Sequence, residues 1–308
     1  MPNALAQPKM TYEKKKKKWR LLLLASPFIL LVILFSYMPL FGWIYSFFNY
    51  KAGIPLFNNE FVGLKFYQLF FADKVNSLRV IKNTAIFALI GICLSPLPMI
   101  FAILLNEIKS IKYKKFVQTF TTIPNFIGWV IVFSLAFMIF SNDGALNSFL
   151  SSVGNKSNTS VLGDPNSVYW FQTAVGLWKS LGWSSIIYLA AITGIDQQMY
   201  EAASIDGAGR LKSILHITVP NLAPTYLVLL LLSIGNFVSV GFEQYLVFNN
   251  PLVADKIEVL DLYVYRIGLM GHDYSYGVAI SVMKSVISIT LLFIANGIAK
   301  KVRGTSLV

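Results

Sequence analysis

The sequence predicts an all-α integral membrane protein with six transmembrane helices, and three observations predict it. The chain is 56% hydrophobic and only 13% charged, where a soluble domain carries about 25% charged residues. Six windows are apolar over the roughly 20 residues that a helix rising about 1.5 Å per residue needs to cross a core about 30 Å thick. The basic residues are sorted between alternate loops, as they are in oriented bundles. The same figures exclude a disordered chain, and the sorting removes any need for nucleic acid to explain the +12 net charge. A single cysteine, Cys93, excludes a disulfide framework or a cysteine cluster, and His216 and His272 lie too far apart to suggest a metal site.

Residues 1–20 form a basic N-terminal segment with a lysine run at 14–18. The first span, 21–48, follows that run as a signal sequence would. It is too long for one and no small-residue cleavage site follows, so it is expected to stay as a span. Spans two and three, 84–105 and 117–140, hold no charged residue. Spans four and six, 168–195 and 278–299, hold Lys179 and Lys284, and span five, 224–247, holds Glu243 near its outer end. With both termini placed in the cytoplasm, the inner segments carry 16 of the 26 Lys and Arg over 68 residues and the outer loops 8 over 90, the positive-inside bias. Of the outer loops, 151–159 is a polar Ser/Asn/Gly surface stretch. Residues 257–271 are too charged to span and read as a short amphipathic helix lying against the outer mouth. Residues 301–308 form a cytoplasmic tail, which leaves 21–300 as one membrane domain with neither a soluble domain nor a solenoid repeat.

No phosphate loop, Gly-x-Ser-x-Gly elbow or His-Glu-x-x-His helix occurs, so the chain is read as a non-enzyme without catalytic residues, drawing energy from a partner or an ion gradient. An ion-coupled secondary transporter would show inverted repeats around charged midplane sites, and neither is evident.

The loop at 196–220 carries the densest signal. Asp196 can cap a helix over 197–205 by accepting from first-turn amides. Asp206-Gly207 breaks that helix, because glycine tolerates a left-handed helix end. A second helix over 208–217 is expected to end before Pro220. Ala202 and Ala203 would let another protein approach the backbone closely, with Glu201 at the edge. Taken alone, these residues fit a docking surface and a solvated connector equally well.

Glu201-Ala202-Ala203, three residues, Gly207, nine residues, Ile217, one residue and Val219-Pro220 resemble the EAA loop of ABC importer permeases, with Val219 where the family pattern has Leu. Asn83-Thr84, Asn106-Glu107, Pro124-Asn125-Phe126, Trp178-Lys179 and the run 200–208 resemble the maltose-type, carbohydrate-uptake branch. Gly241-Phe242-Glu243-Gln244, Tyr274-Ser275-Tyr276 and the tail from Asn296 through Ser306-Leu307 are similar to the lipoprotein-associated permeases for larger or acidic oligosaccharides. The resemblance implies a type I ABC importer permease fold in the bacterial cytoplasmic membrane. It implies a heterodimer with a second homologous permease and two ATPase subunits that bind ATP and Mg, so that this chain holds no cofactor. An extracytoplasmic sugar-binding lipoprotein would deliver an oligosaccharide, and the first span would pack across the partner permease. Glu201, Ala202, Ala203, Asp206, Gly207, Ile217 and Pro220 become ATPase-coupling residues. Within the family, another polar solute such as a peptide is the alternative cargo.

Sugars are recognised by aromatic faces and by hydrogen bonds to their hydroxyls. An ammonium deep in a span, as at Lys179, defaults to a functional site. In related maltose-type permeases the sugar contacts come from spans three, four and five, and the matching positions are Asn125, Trp129, Lys179, Trp183, Ser233, Asn236 and Glu243. Each also has a plain structural reading. Lys179 could bridge to Glu243 or to a partner chain, and Lys284 could link helices or snorkel. Asn125, Ser233 and Asn236 could join helices, and the tryptophans could simply pack. A Lys179 in contact with cargo would imply uronic or sialic acid units.

Overall fold

A long apolar run in a membrane must satisfy its own backbone, and the chain does so with helices. The computed structural model describes residues 12–153 and 160–303, and among these the regular structure is helical apart from one bridge between Phe48 and Phe61. Residues 1–11, 154–159 and 304–308, with part of the polar outer loop and Ser306-Leu307, lie outside the described residues. Among the described residues, six helices are long and apolar enough to cross a membrane: Trp19–Phe47, Lys74–Asn106, Trp129–Ser152, Val168–Thr193, Arg210–Gly235 and Tyr274–Lys301.

The first of these is tied down only at its end. It tightens through a π turn, Ile33–Tyr37, into a 3₁₀ run, Met38–Phe47. Buried Ser46 there lies 2.9 Å from the Tyr67 hydroxyl, and just beyond it the Tyr50 N–H donates to Ser275 Oγ at 3.0 Å. The apolar side chains from Leu21 to Phe41 stand largely exposed.

Three crossings expected as single helices are interrupted, the second span by a turn at Ser95-Pro96 between Lys74–Leu94 and Leu97–Asn106. The third runs as Ile111–Thr122, a 3₁₀ turn Ile123–Phe126, then Trp129–Phe140, with Ile127 and Gly128 extended between them. Trp129–Phe140 alone rises only about 18 Å, so the crossing needs the chain on either side of it. The fifth helix stops at Gly235, and Gly241, at φ +90°, turns the chain before the short helix Glu243–Phe248.

A correction concerns 257–271. This segment does form helix, Leu260–Val264 followed by a π stretch Tyr265–Met270, but it is built into the bundle and not laid over its mouth. Thr84 Oγ1 accepts from the Leu260 N–H at 2.8 Å, and Asn83 Nδ2 donates to the Asp255 and Glu258 carbonyls. Leu260 and Tyr263 pack with Phe66, Phe70, Val80, Tyr276 and Ile280. The charges that made the segment read as surface are neutralised internally. Arg79 pairs with Asp255 and Glu258, Arg266 with Glu258 at 2.5 Å, and Lys284 with Asp261. Lys284 is thus an inter-helix lysine.

Candidate functional site

The loop between the fourth and fifth spans is made by local signals. Asp196 accepts from the Gln198 N–H at 3.0 Å and opens the helix Gln197–Ile205. Gly207, at φ +74°, closes it, with the Gly207 N–H on the Ser204 carbonyl (3.1 Å) and the Ala208 N–H on the Ala203 carbonyl (2.8 Å), the paired bonds of a Schellman end. The second helix does not end before Pro220. Arg210–Ser213 passes through a π turn, Ile214–Thr218, straight into Val219–Gly235. Proline removes a donor and crowds the preceding turn, and a wider turn of the π type relieves both. The loop is therefore a rigid lever on the fifth span. Tyr200 OH lies 2.9 Å from Thr218 Oγ1 and ties the first helix to it.

Ile217 is buried inside this elbow and Ala203 is half-buried, while Glu201, Ala202, Asp206, Gly207 and Pro220 are exposed. Ile205 is 87% exposed and Leu211 and Leu215 are also open. Among the described residues Glu201 and Asp206 join no ion pair. Small, apolar and acidic groups from Glu201 to Leu215 are thus presented largely in the open on a capped scaffold.

Deeper in the bundle lies a cavity of about 660 Å³ between the second, fourth and fifth spans and the residues that follow the fifth. Trp129, Trp183, Ser233 and Asn236 line it together. Ser233 and Asn236 each donate to the carbonyl four residues back, Leu229 at 2.9 Å and Leu232 at 3.0 Å. Asn125, Lys179 and Glu243 are not among its walls. Lys179 Nζ donates instead to the Pro124 (3.3 Å) and Asn125 (2.8 Å) carbonyls and sits 5.3 Å from the Trp129 ring centre. It makes no ion pair with Glu243 among the described residues.

Sequence reasoning missed the polar wall on the fourth span, where Gln172, Ser180 and Ser184 line the cavity with Gly176 at four-residue spacing. That spacing puts them on one helix face and was the available signal. Gln244 fixes the Gln172 end of the wall, its Nε2 donating to the Gln172 carbonyl (2.7 Å) and Oε1 (2.8 Å).

The chain matches the family model described as "Binding-protein-dependent transport system inner membrane component" over residues 95–304. It is 38% identical over 292 residues to Protein LplB of Bacillus subtilis (strain 168), covering 93% of this chain and 90% of that one. It is 38% identical over 302 residues to the polygalacturonan/rhamnogalacturonan transport system permease protein YteP of the same organism, with 94% and 93% covered. Among solved structures, a chain of a bacterial alginate ABC transporter in complex with an alginate pentasaccharide-bound periplasmic protein superposes with a TM-score of 0.85 at 30% identity, covering 97% of this chain and 100% of that one. The chain belongs to the family of binding-protein-dependent transport system inner membrane components, as a multi-pass bacterial permease subunit with the type I ABC importer fold, a transport component and not an enzyme.

Proposed function

We propose that this chain is one of two homologous permeases in an ATP-driven importer of oligosaccharides, working with two ATPase subunits and an extracytoplasmic sugar-binding lipoprotein. The observation that carries the proposal is the loop 196–220, a doubly capped elbow continuous with the fifth span whose Glu201–Gly207 surface is exposed apart from half-buried Ala203. In this reading the loop faces the cytoplasm and Glu201, Ala202, Ala203, Asp206 and Gly207 seat in an ATPase subunit. Ile217 and Pro220 pass the movement into the fifth span. ATP and Mg are held by the ATPases, whose closure supplies the energy. A two-state bundle responds only to a ligand that favours one state, and the rigid elbow makes the ATPases such a ligand.

The cargo class rests on the printed roles of the relatives, polygalacturonan/rhamnogalacturonan and alginate, and on the cavity. Trp129 and Trp183 line it with Gln172, Ser180, Ser233 and Asn236, offering stacking faces and polar partners together. Asn125 and Glu243 flank that path in this proposal. The exposed first span would be covered by the partner permease. The test is uptake into proteoliposomes holding both permeases, with and without the ATPases. Oligosaccharide accumulation that requires ATP and binding protein is the expected result. Accumulation by this chain without ATPases, or peptide uptake in place of sugar, would overturn the proposal.

A further inference from the structure

The interruption in the third crossing leaves a backbone problem that the fourth span solves. With Ile127 and Gly128 extended, the carbonyls of the 3₁₀ turn lose the donors that a continuing helix would supply. The Ile127 N–H reaches the Pro124 carbonyl at 3.2 Å, and no backbone donor meets that of Asn125 among the described residues. Unsatisfied carbonyls in a membrane interior are costly. In ion-coupled transporters the carbonyls at such breaks hold the coupling cation. Here the cation is the Lys179 ammonium, donating to both carbonyls, at the negative end of the helix that precedes the break.

The contact is wider than one side chain. One helical turn along, Gly182 packs so closely that a Cβ there would lie 2.2 Å from the Thr121 carbonyl oxygen. Trp183 meets Phe126 edge-on at 5.6 Å, and the Lys179 ammonium faces the Trp129 ring. Residues 179, 182 and 183 share a helix face, and together they grip the chain from Thr121 to Trp129. Two of the residues held this way, Trp129 and Trp183, are walls of the cavity, and the gripping helix is the one that leads into the loop 196–220.

We infer that Lys179 is a positioning residue: a built-in cation that clamps the interrupted third crossing to the fourth span, so that the two move as one body and carry the cavity's tryptophans with them. The inference rests on the importer reading for its effect on transport, but the clamp can be read without transport.

Two measurements test it. In a Cys93→Ser background, Gly128→Cys places a thiol at an exposed position where a Cβ meets nothing within 4 Å. In the assembled complex, Lys179→Met should raise its labelling by a water-soluble maleimide several-fold, and Lys179→Arg should not. An unchanged rate would overturn the clamp even if the complex transports nothing, an outcome that would sink the importer reading separately. In transport, Lys179→Met should lower uptake and binding-protein-stimulated ATP hydrolysis together by about tenfold, the scale of one charge-assisted hydrogen bond. Lys179→Arg should restore both. Gly182→Ala, with Lys179 intact, should reproduce the double loss. Uptake that falls while ATP hydrolysis stays at the wild-type rate would assign Lys179 to the cargo and not to the clamp, and so would an Arg variant as poor as Met. Should Lys179→Met fail to assemble, Lys179→Gln takes its place with the same expected results.

Discussion

Two short helical connections, on opposite ends of the bundle, solve opposite problems. The loop 196–220 joins spans four and five by a helix of nine residues and an elbow, and leaves Glu201, Ile205, Asp206, Leu211 and Leu215 in the open. The segment 254–270 joins spans five and six by short helices and buries its central residues, while Asp255, Arg266, Leu269 and Met270 stay exposed. Glu258 is 9% exposed and lies between two arginines, and Val259, Leu260, Leu262 and Tyr263 are buried around it. The first connection is held by caps at its own ends, the second by partners elsewhere in the chain. A surface that needs no internal partner is free to meet an external one. The difference therefore separates what this chain presents from what holds it together.

The sharpest way to break that comparison is at Gly207. Proline cannot adopt φ +74°, so Gly207→Pro should undo the Schellman end and misdirect the lever. Uptake is expected to fall by about a hundredfold, with the complex still inserted and its thermal midpoint unchanged. Glu201→Lys should act in the same direction by reversing the charge at the docking edge. Wild-type uptake from both would mean that the exposed loop is only a connector.

Next in size is Glu258→Gln, which removes the charge from the buried side. Its carboxylate accepts from Arg79 at 2.9 Å and Arg266 at 2.5 Å. Losing two charge-assisted bonds should cost about 2–3 kcal/mol, less than for a wholly buried pair, because Arg266 is half exposed. Thermal unfolding of the purified complex measures it. The loop variants and this one should separate cleanly, the former losing transport and the latter stability.

These contrasts also mark what was legible in the sequence. The spans and the loop are written locally. An apolar run of sufficient length, an Asp before a helix and a Gly after it act within a few residues, and Asp196 and Gly207 do what they imply. The segment 257–271 misleads because its charges are cancelled inside the fold, Glu258 by Arg79 some 180 positions away and Asp261 by Lys284 on the last span, and pattern alone cannot see those partners. Pro220 misleads for another reason: a stop signal in an α-helix is absorbed when the turn before it widens. The break at Ile127-Gly128 has a local cue in Pro124-Asn125 and Gly128, but it sits inside an apolar window long enough to read as one span. Its meaning depends on Lys179, a residue on the next span; four of the seven substrate-path candidates line one cavity, while the lysine faces the backbone instead.

The smallest effect sets the finest limit on the comparison. Asp255 and Glu258 both pair with Arg79, at 2.6 and 2.9 Å, so by distance alone Asp255 is the stronger partner. Their surroundings differ. The Asp255 side chain is 82% exposed against 9% for Glu258, and water competes for an exposed carboxylate and screens it. The Asp255 backbone carbonyl, which holds Asn83 at 2.8 Å, is untouched by changing the side chain. Asp255→Asn should therefore cost about 0.5 kcal/mol and lose even that at high salt, while the cost of Glu258→Gln persists there. Unfolding the two variants at low and high ionic strength makes the comparison. Equal costs at both would show that burial does not distinguish the two carboxylates, and that the 254–270 segment is held by its packing with Phe66, Phe70 and Tyr276 and not by its charges.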